Sequence, residues 1–237
     1  MFVSNKRCNS AGFRNFTFDP SNPSPTIGGA NLDTKFGNDH PLPPSPLLSV
    51  HTLQFFHHLT THPPPATGVG PYDQRPIAQR DDVMSYTTPV LPTTLVISGP
   101  VSARITLVLD QPDADIVLRL CDVYPDGRLM LMMEGHVRVA AALGNYSEAV
   151  LAVPGDAYTV DVDLGHISLA VNAGHRLALL LTASNYPKLL VNPNDGSAPL
   201  SQHHDPRPVT VAVSDDSYVK VYVDDSYVKV YVQDGSE

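Results

Sequence analysis

The sequence predicts an all-β fold, a jelly-roll β-sandwich, and three observations carry that reading. The chain holds 23 prolines and 15 glycines, too many for a helix bundle and suited to strands joined by turns. Apolar and polar residues alternate with period two through its middle, as on half-buried strands. The alternating stretches are short and separated by turn clusters, the spacing of a sandwich. With 237 residues the chain is long enough for a sizeable core.

Residues 93–213 are expected to form the sandwich core. In 101–109 (VSARITLVL), Val101, Ala103, Ile105, Leu107 and Leu109 share one face, and Ser102, Arg104 and Thr106 the other. Ile116, Leu118 and Leu120 alternate with Val117, Arg119 and Cys121, so Cys121 reads as a small core residue. Residues 124–128 (YPDGR) predict a turn, and 129–139 the returning strand of a hairpin. Tyr158, Val160, Val162 and Leu164 alternate with Thr159, Asp161 and Asp163. The run 177–181 is apolar throughout and fits a strand covered on both faces.

The flanks read differently. Of the 23 prolines, 14 lie between Pro20 and Pro92, with five of the ten histidines. Residues 1–92 are therefore expected to be an extended segment wrapping the sandwich, a long Pro/His-rich loop region with one short helix-like stretch at 47–59. Residues 214–237 form a duplicated tail, since 215–223 reads DDSYVKVYV and 224–232 repeats it unchanged. Each copy fits a strand with Tyr, Lys and Tyr on one face and three Val on the other. High β-propensity without proline also allows self-association through these strands.

Composition and motifs exclude more than they assign. A formal charge of −9 speaks against a nucleic-acid partner, because phosphate binding needs a basic face. No run reaches the roughly 18 apolar residues of a membrane span. The amino terminus, MFVSNKRCNS, has no apolar signal region, which weighs toward a cytoplasmic location. No Gly-x-Ser-x-Gly elbow, HExxH, P-loop, GxGxxG or CxxC occurs. His58 and His62 have zinc-like spacing, but three prolines follow and no third ligand stands nearby. His203, His204 and Asp205 are neighbours that a strand would point to opposite faces, while His136 and His175 read as hydrogen-bonded structural histidines. Asp113 with Asp115, and Asp161 with Asp163, each place two carboxylates on one sheet face, where a solvated face is commoner than a calcium site. The expectation is no catalytic residue, no metal and no cofactor within this chain.

Nine segments in order carry a resemblance. They begin with 18–32 (FDPSNPSPTIGGANL), 70–76 (GPYDQRP), 82–88 (DVMSYTT), 97–101 (ISGPV) and 113–115 (DAD). They continue with 122–128 (DVYPDGR), 134–135 (EG), 173–177 (AGHRL), and 183–187 (ASNYP) with 192–194 (NPN). Together they resemble the carboxy-terminal domain of X-Pro dipeptidyl-peptidases and cocaine-esterase-type serine hydrolases, over about residues 16–213.

The resemblance implies a galactose-binding-domain-like jelly roll that is not itself catalytic. Relatives carry a Ser-Asp-His triad on a preceding α/β-hydrolase domain, which attacks an ester or amide carbonyl through an acyl-enzyme. The jelly roll packs on that domain and helps wall its active site. No triad residue can be carried over, so an α/β-hydrolase domain or subunit is the expected partner. The polar, non-repetitive loops supply the expected contact residues: Tyr72, Asp73, Gln74 and Arg75 in one, and Ser184, Asn185, Tyr186, Asn192 and Asn194 in the other. Relatives lack most of 33–69, which reads as an insertion, and end in a single closing strand where this chain has two copies. The alternatives are a stand-alone binding module, for example for carbohydrate, and an enzyme using an unrecognised site.

Overall fold

The structure, a computed structural model, describes residues 12–29, 70–146, 148–197, 204–223 and 226–231. The expected insertion at 33–69, the helix-like stretch at 47–59, and His58, His62 and His203 lie outside the described residues. Among the described residues ten strands pair antiparallel into two stacked sheets, the all-β sandwich expected.

The first sheet is organised by β3 (Leu95–Leu109), which pairs along its length with β6 (Ala157–Val171). Its other edge holds β8 (Val209–Ser214) and β9 (Tyr218–Val223) end to end. Leu107 opposes Val213 and Arg104 opposes Tyr218, so three steps on β3 span five on the partner. The Ser217 hydroxyl accepts the Thr106 N–H at 3.0 Å in that interruption, replacing a ladder bond. Beyond them lie β1 (Phe13–Phe18), paired with β8, and β10 (Ser226–Tyr231), paired with β9. The second sheet runs β2 (Met84–Thr87), β7 (Arg176–Thr182), β4 (Asp115–Val123), β5 (Leu129–Arg138).

The alternation read from the sequence becomes the core between the sheets. Val101, Ala103, Ile105, Leu107 and Leu109 are buried there and meet Ile116, Leu118 and Leu120 of β4 and Leu177, Leu179 and Leu181 of β7. The continuous apolar run of β7 is explained by its second face. Ala178 and Leu180 pack with Cys121, Leu129 and Leu131 under Ile27, Val83 and Ile77, the last from the short helix α1 (Arg75–Ala78). Cys121 is fully buried in this outer cluster, and burial pushes its thiol pKa up.

The sandwich draws strands from both sides of 93–213. Phe16 and Phe18 of β1, Met84 and Tyr86 of β2, and Val219 and Val221 of β9 all enter the central core. Within 93–213 the β reading is interrupted by the short helix α2 (Val139–Leu143), which buries Val139 and Ala140. The exchanged hydrogen bonds Gly29 N to Gly70 O (2.8 Å) and Gly70 N to Gly29 O (3.1 Å) bring the two ends of 30–69 together. Both glycines have positive φ, +75° and +132°, which side chains disfavour.

Candidate interdomain face

Residues 24–29 sew two loops, remote in sequence, into one surface. Tyr186 N donates to Ser24 O at 2.9 Å and Thr26 N to Tyr186 O at 2.6 Å, while Ser24 N donates to the Ser184 hydroxyl at 2.7 Å. On the other side Gln74 Nε2 donates to Ile27 O at 2.8 Å and to Tyr72 O at 3.1 Å. A Cβ on Gly28 would strike the Tyr72 side chain, so this segment and the 70–76 loop lie in direct contact.

A charged network under this surface sets the position of the second loop. Arg119 is fully buried at the centre of β4 and opposes Glu134 on β5. Its Nη2 donates to Asn185 Oδ1 at 2.8 Å and reaches Pro25 O at 3.3 Å. Asn185 Nδ2 in turn donates to Glu134 Oε2 at 2.8 Å, and the other carboxylate oxygen pairs with Lys188. Burial pushes the Arg119 pKa down, opposed by the Glu134 charge. A buried cation needs such partners, because desolvation without them costs several kcal/mol, on the order of 3–5.

The nine expected contact residues divide by exposure. Gln74, Ser184, Asn185, Asn192 and Asn194 are buried, and each is hydrogen-bonded inside the domain. They are struts that hold the loops, since a side chain closed off from solvent offers nothing to a partner. Tyr72 and Arg75 are exposed and Asp73 and Tyr186 half-buried. Asp73 accepts Leu129 N and Arg75 N, both at 3.1 Å, fixing the loop to the β4–β5 hairpin. Burial would raise its pKa, but bonds from Arg75 and Leu129 outweigh this and hold it low. Sequence reasoning missed Arg119 as the anchor, although an arginine inside the apolar run IVLRLC was a visible signal.

The loop after β7 extends the surface. Asn192 Nδ2 bonds Asp113 Oδ2 (3.1 Å) and Asp115 Oδ1 (2.9 Å), and Asn194 Nδ2 donates to Arg207 O at 2.8 Å. Asp113 also pairs with Arg138 and accepts Ala140 N at 2.9 Å, so it is a structural carboxylate at the start of α2. A Cβ on Gly196 would sit 3.0 Å from Leu151 Cδ1. The loop therefore runs from residues 24–26 at one end to the exposed apolar stretch of Val150, Leu151 and Val153 at the other, with Leu190 at 70% exposure between.

Other expected chemistry resolves into structural pairs. His175 Nδ1 lies 2.8 Å from Asp122 Oδ1, and its ring packs on Tyr124 at 4.4 Å, a hydrogen-bonded histidine as expected. His136 is instead exposed. Asp161 pairs bidentately with Arg104, both contacts 2.8 Å. The Ser197 hydroxyl bonds Asp195 Oδ1 and lies against His204 Nδ1, both at 2.6 Å. Here the carboxylate meets the hydroxyl rather than the imidazole, so the hydroxyl–imidazole–carboxylate order of a nucleophilic triad is not formed. Among the described residues no group of three or more His, Cys, Asp or Glu is placed to hold a metal.

Fold and loops together define a β-sandwich domain of accessory type, with its polar loop residues turned inward as struts. The family model described as "X-Pro dipeptidyl-peptidase C-terminal non-catalytic domain" matches residues 39–220, and the chain belongs to that family. Cocaine esterase from Rhodococcus sp. (strain MB1 Bresler) is 32% identical over 185 residues, 76% of this chain and 26% of that protein. A solved α-amino acid ester hydrolase superposes with TM-score 0.68 at 21% identity, over 91% of this chain and 33% of its own. An aminopeptidase from a marine sediment Thaumarchaeota archaeon superposes with TM-score 0.65 at 20% identity, over 90% and 33%. The chain thus spans a quarter to a third of the length of these relatives.

Proposed function

We propose that this chain is an accessory domain that packs on a Ser-Asp-His α/β-hydrolase domain and helps wall its active site, leaving acyl transfer on esters or amides to that domain. The observation that carries the reading is the single surface made from residues 24–29, 70–76 and 184–196. Its buried polar side chains Gln74, Ser184, Asn185, Asn192 and Asn194 bond within the domain, and Tyr72, Arg75, Leu190, Val150, Leu151 and Val153 remain outward. A surface fixed from within and apolar without loses little entropy on docking. The carbohydrate-binding alternative is not favoured. On the β9–β10 hairpin, where tyrosines could form a sugar platform, ammonium groups compete for the ring faces: Lys220 Nζ lies 4.2 Å from the Tyr227 ring and Lys229 Nζ 4.3 Å from that of Tyr218.

The test measures hydrolysis of p-nitrophenyl acetate and Ala-Pro-p-nitroanilide by the purified chain, with and without a fluorophosphonate. In parallel it measures binding to the isolated α/β-hydrolase domain of the Rhodococcus esterase. No inhibitor-sensitive turnover is expected, with binding that Tyr72→Glu and Leu190→Glu abolish at unchanged Tm. Inhibitor-sensitive turnover by the chain alone, or binding indifferent to both substitutions, would overturn the reading.

A further inference from the structure

The duplicated strands carry an interaction that the accessory role does not use. In the β9–β10 pair Lys220 opposes Lys229, Val219 opposes Val230, Val221 opposes Val228, Tyr218 opposes Tyr231 and Tyr222 opposes Tyr227. Because the two copies are identical, Tyr231, Val230 and Lys229 are the counterparts of Tyr222, Val221 and Lys220. The hairpin is therefore a strand paired with itself about a pseudo-two-fold axis through the Lys220–Lys229 pair. Within one chain the segment SYVKVY shows that it is self-complementary, and in which register.

We propose that β10 pairs with β10 of a second copy of this chain, antiparallel, about a true two-fold axis at Lys229. β10 ends the sheet order, so among the described residues its outer edge has no strand beside it. That edge offers the sequence that β9 already accepts. It has no proline and no inward-pointing charge, two of the devices that blunt an edge, and Lys229 is the one blunting charge that β10 carries. Val228 and Val230 are only half-buried against the core. In the two-fold register each faces the other's counterpart across the junction and loses its remaining exposure. On the opposite face Tyr227 meets the second copy's Tyr231, extending the ring pairs already present at 5.8 and 6.0 Å. Lys229 meets its own equivalent. Directly opposed like charges weaken a pair, but the hairpin already tolerates Lys220 against Lys229 by laying each ammonium over a tyrosine ring. The result is a closed dimer with β9 and β10 of both copies in one continuous ribbon. One strand pair is a small interface, so the dimer is weak and concentration-dependent.

Sedimentation equilibrium of the full chain from low to high micromolar concentration tests this, together with interchain disulfide trapping in a Cys8→Ser background, where Cys121 is buried. Lys229→Cys, on the axis, is expected to cross-link under mild oxidation. Ser226→Cys, equally exposed but six residues from its own equivalent in this register, is expected not to. A monomer at every concentration, open-ended polymers, or trapping through Ser226→Cys but not Lys229→Cys would each overturn the proposal. None of these readouts depends on docking to a hydrolase domain.

Discussion

Asp115 shares the amide of Asn192 with Asp113 at the start of β4. Burial, offset by the Asn192 bond and reinforced by the Asp113 charge, pushes its pKa up to about 6 from 3.8. The folded state then binds more protons than the unfolded state between those values. Stability from this group is accordingly present below about pH 4 and lost as pH rises through 6. Asp115→Asn keeps an oxygen to accept from Asn192 and removes the charge. It should stabilise the domain by roughly 1–3 kcal/mol at pH 7, converting the shift at about 1.4 kcal/mol per unit. Urea unfolding of both proteins from pH 4 to 7 checks this, and a difference that does not grow with pH contradicts it. Arg119 makes the contrasting case. Arg119→Ala would leave Asn185 Oδ1 and the Pro25 carbonyl without their donor and remove the cation that faces Glu134, and it is expected to cost about 3 kcal/mol or more in the same assay.

Among the elements, β5 crosses β6 of the other sheet at Gly135, opposite Leu118 in the β4–β5 register. A Cβ there would run into the Asp163 carbonyl and come within 3.0 Å of Leu164 Cα. The obstacle is backbone, which cannot swing aside as a side chain can. Gly135→Ala is expected to destabilise by about 1–3 kcal/mol, the usual cost of overpacking, measured as a lower urea midpoint. An unchanged midpoint would mean that the two sheets separate easily at this crossing. The Glu134-Gly135 pair thus serves two jobs in adjacent positions. The glutamate completes the network on the outer face, and the glycine lets the sheets approach on the inner one.

For the whole molecule, the exchanged hydrogen bonds between Gly29 and Gly70 form the kind of antiparallel pair that a two-residue turn closes. If 33–69 is an insertion, as the resemblance implies, replacing 30–69 by Asn-Gly should leave a cooperatively folded domain. Its stability is expected to be unchanged or higher by up to about 2 kcal/mol, because a shorter loop costs less to close. Thermal unfolding by circular dichroism checks it, and loss of the cooperative transition would show that the excursion contributes to the core. β1 and β2, which lie on either side of 30–69 in the sequence, belong to opposite sheets. The amino-terminal segment therefore ties the two layers together.

Period two was enough to reveal the central strands of this protein, though not β1 or β2, because the face on which a strand side chain lies is decided by its immediate neighbours. Residues 101–109, 116–120 and 158–164 needed nothing more, and the uninterrupted 177–181 correctly announced a strand covered twice. The ordered segments from 18–32 to 192–194 were likewise enough to indicate the family. Tertiary structure alone decided which polar residues face inward. Gln74, Ser184, Asn185, Asn192 and Asn194 look like surface loop residues in one dimension, and their partners lie up to 160 positions away. It also decided that β1 and β2 enter opposite sheets and in which register the two tail copies pair. Alternation is a local property of the chain, whereas hydrogen-bond satisfaction of a buried group depends on what folding brings beside it.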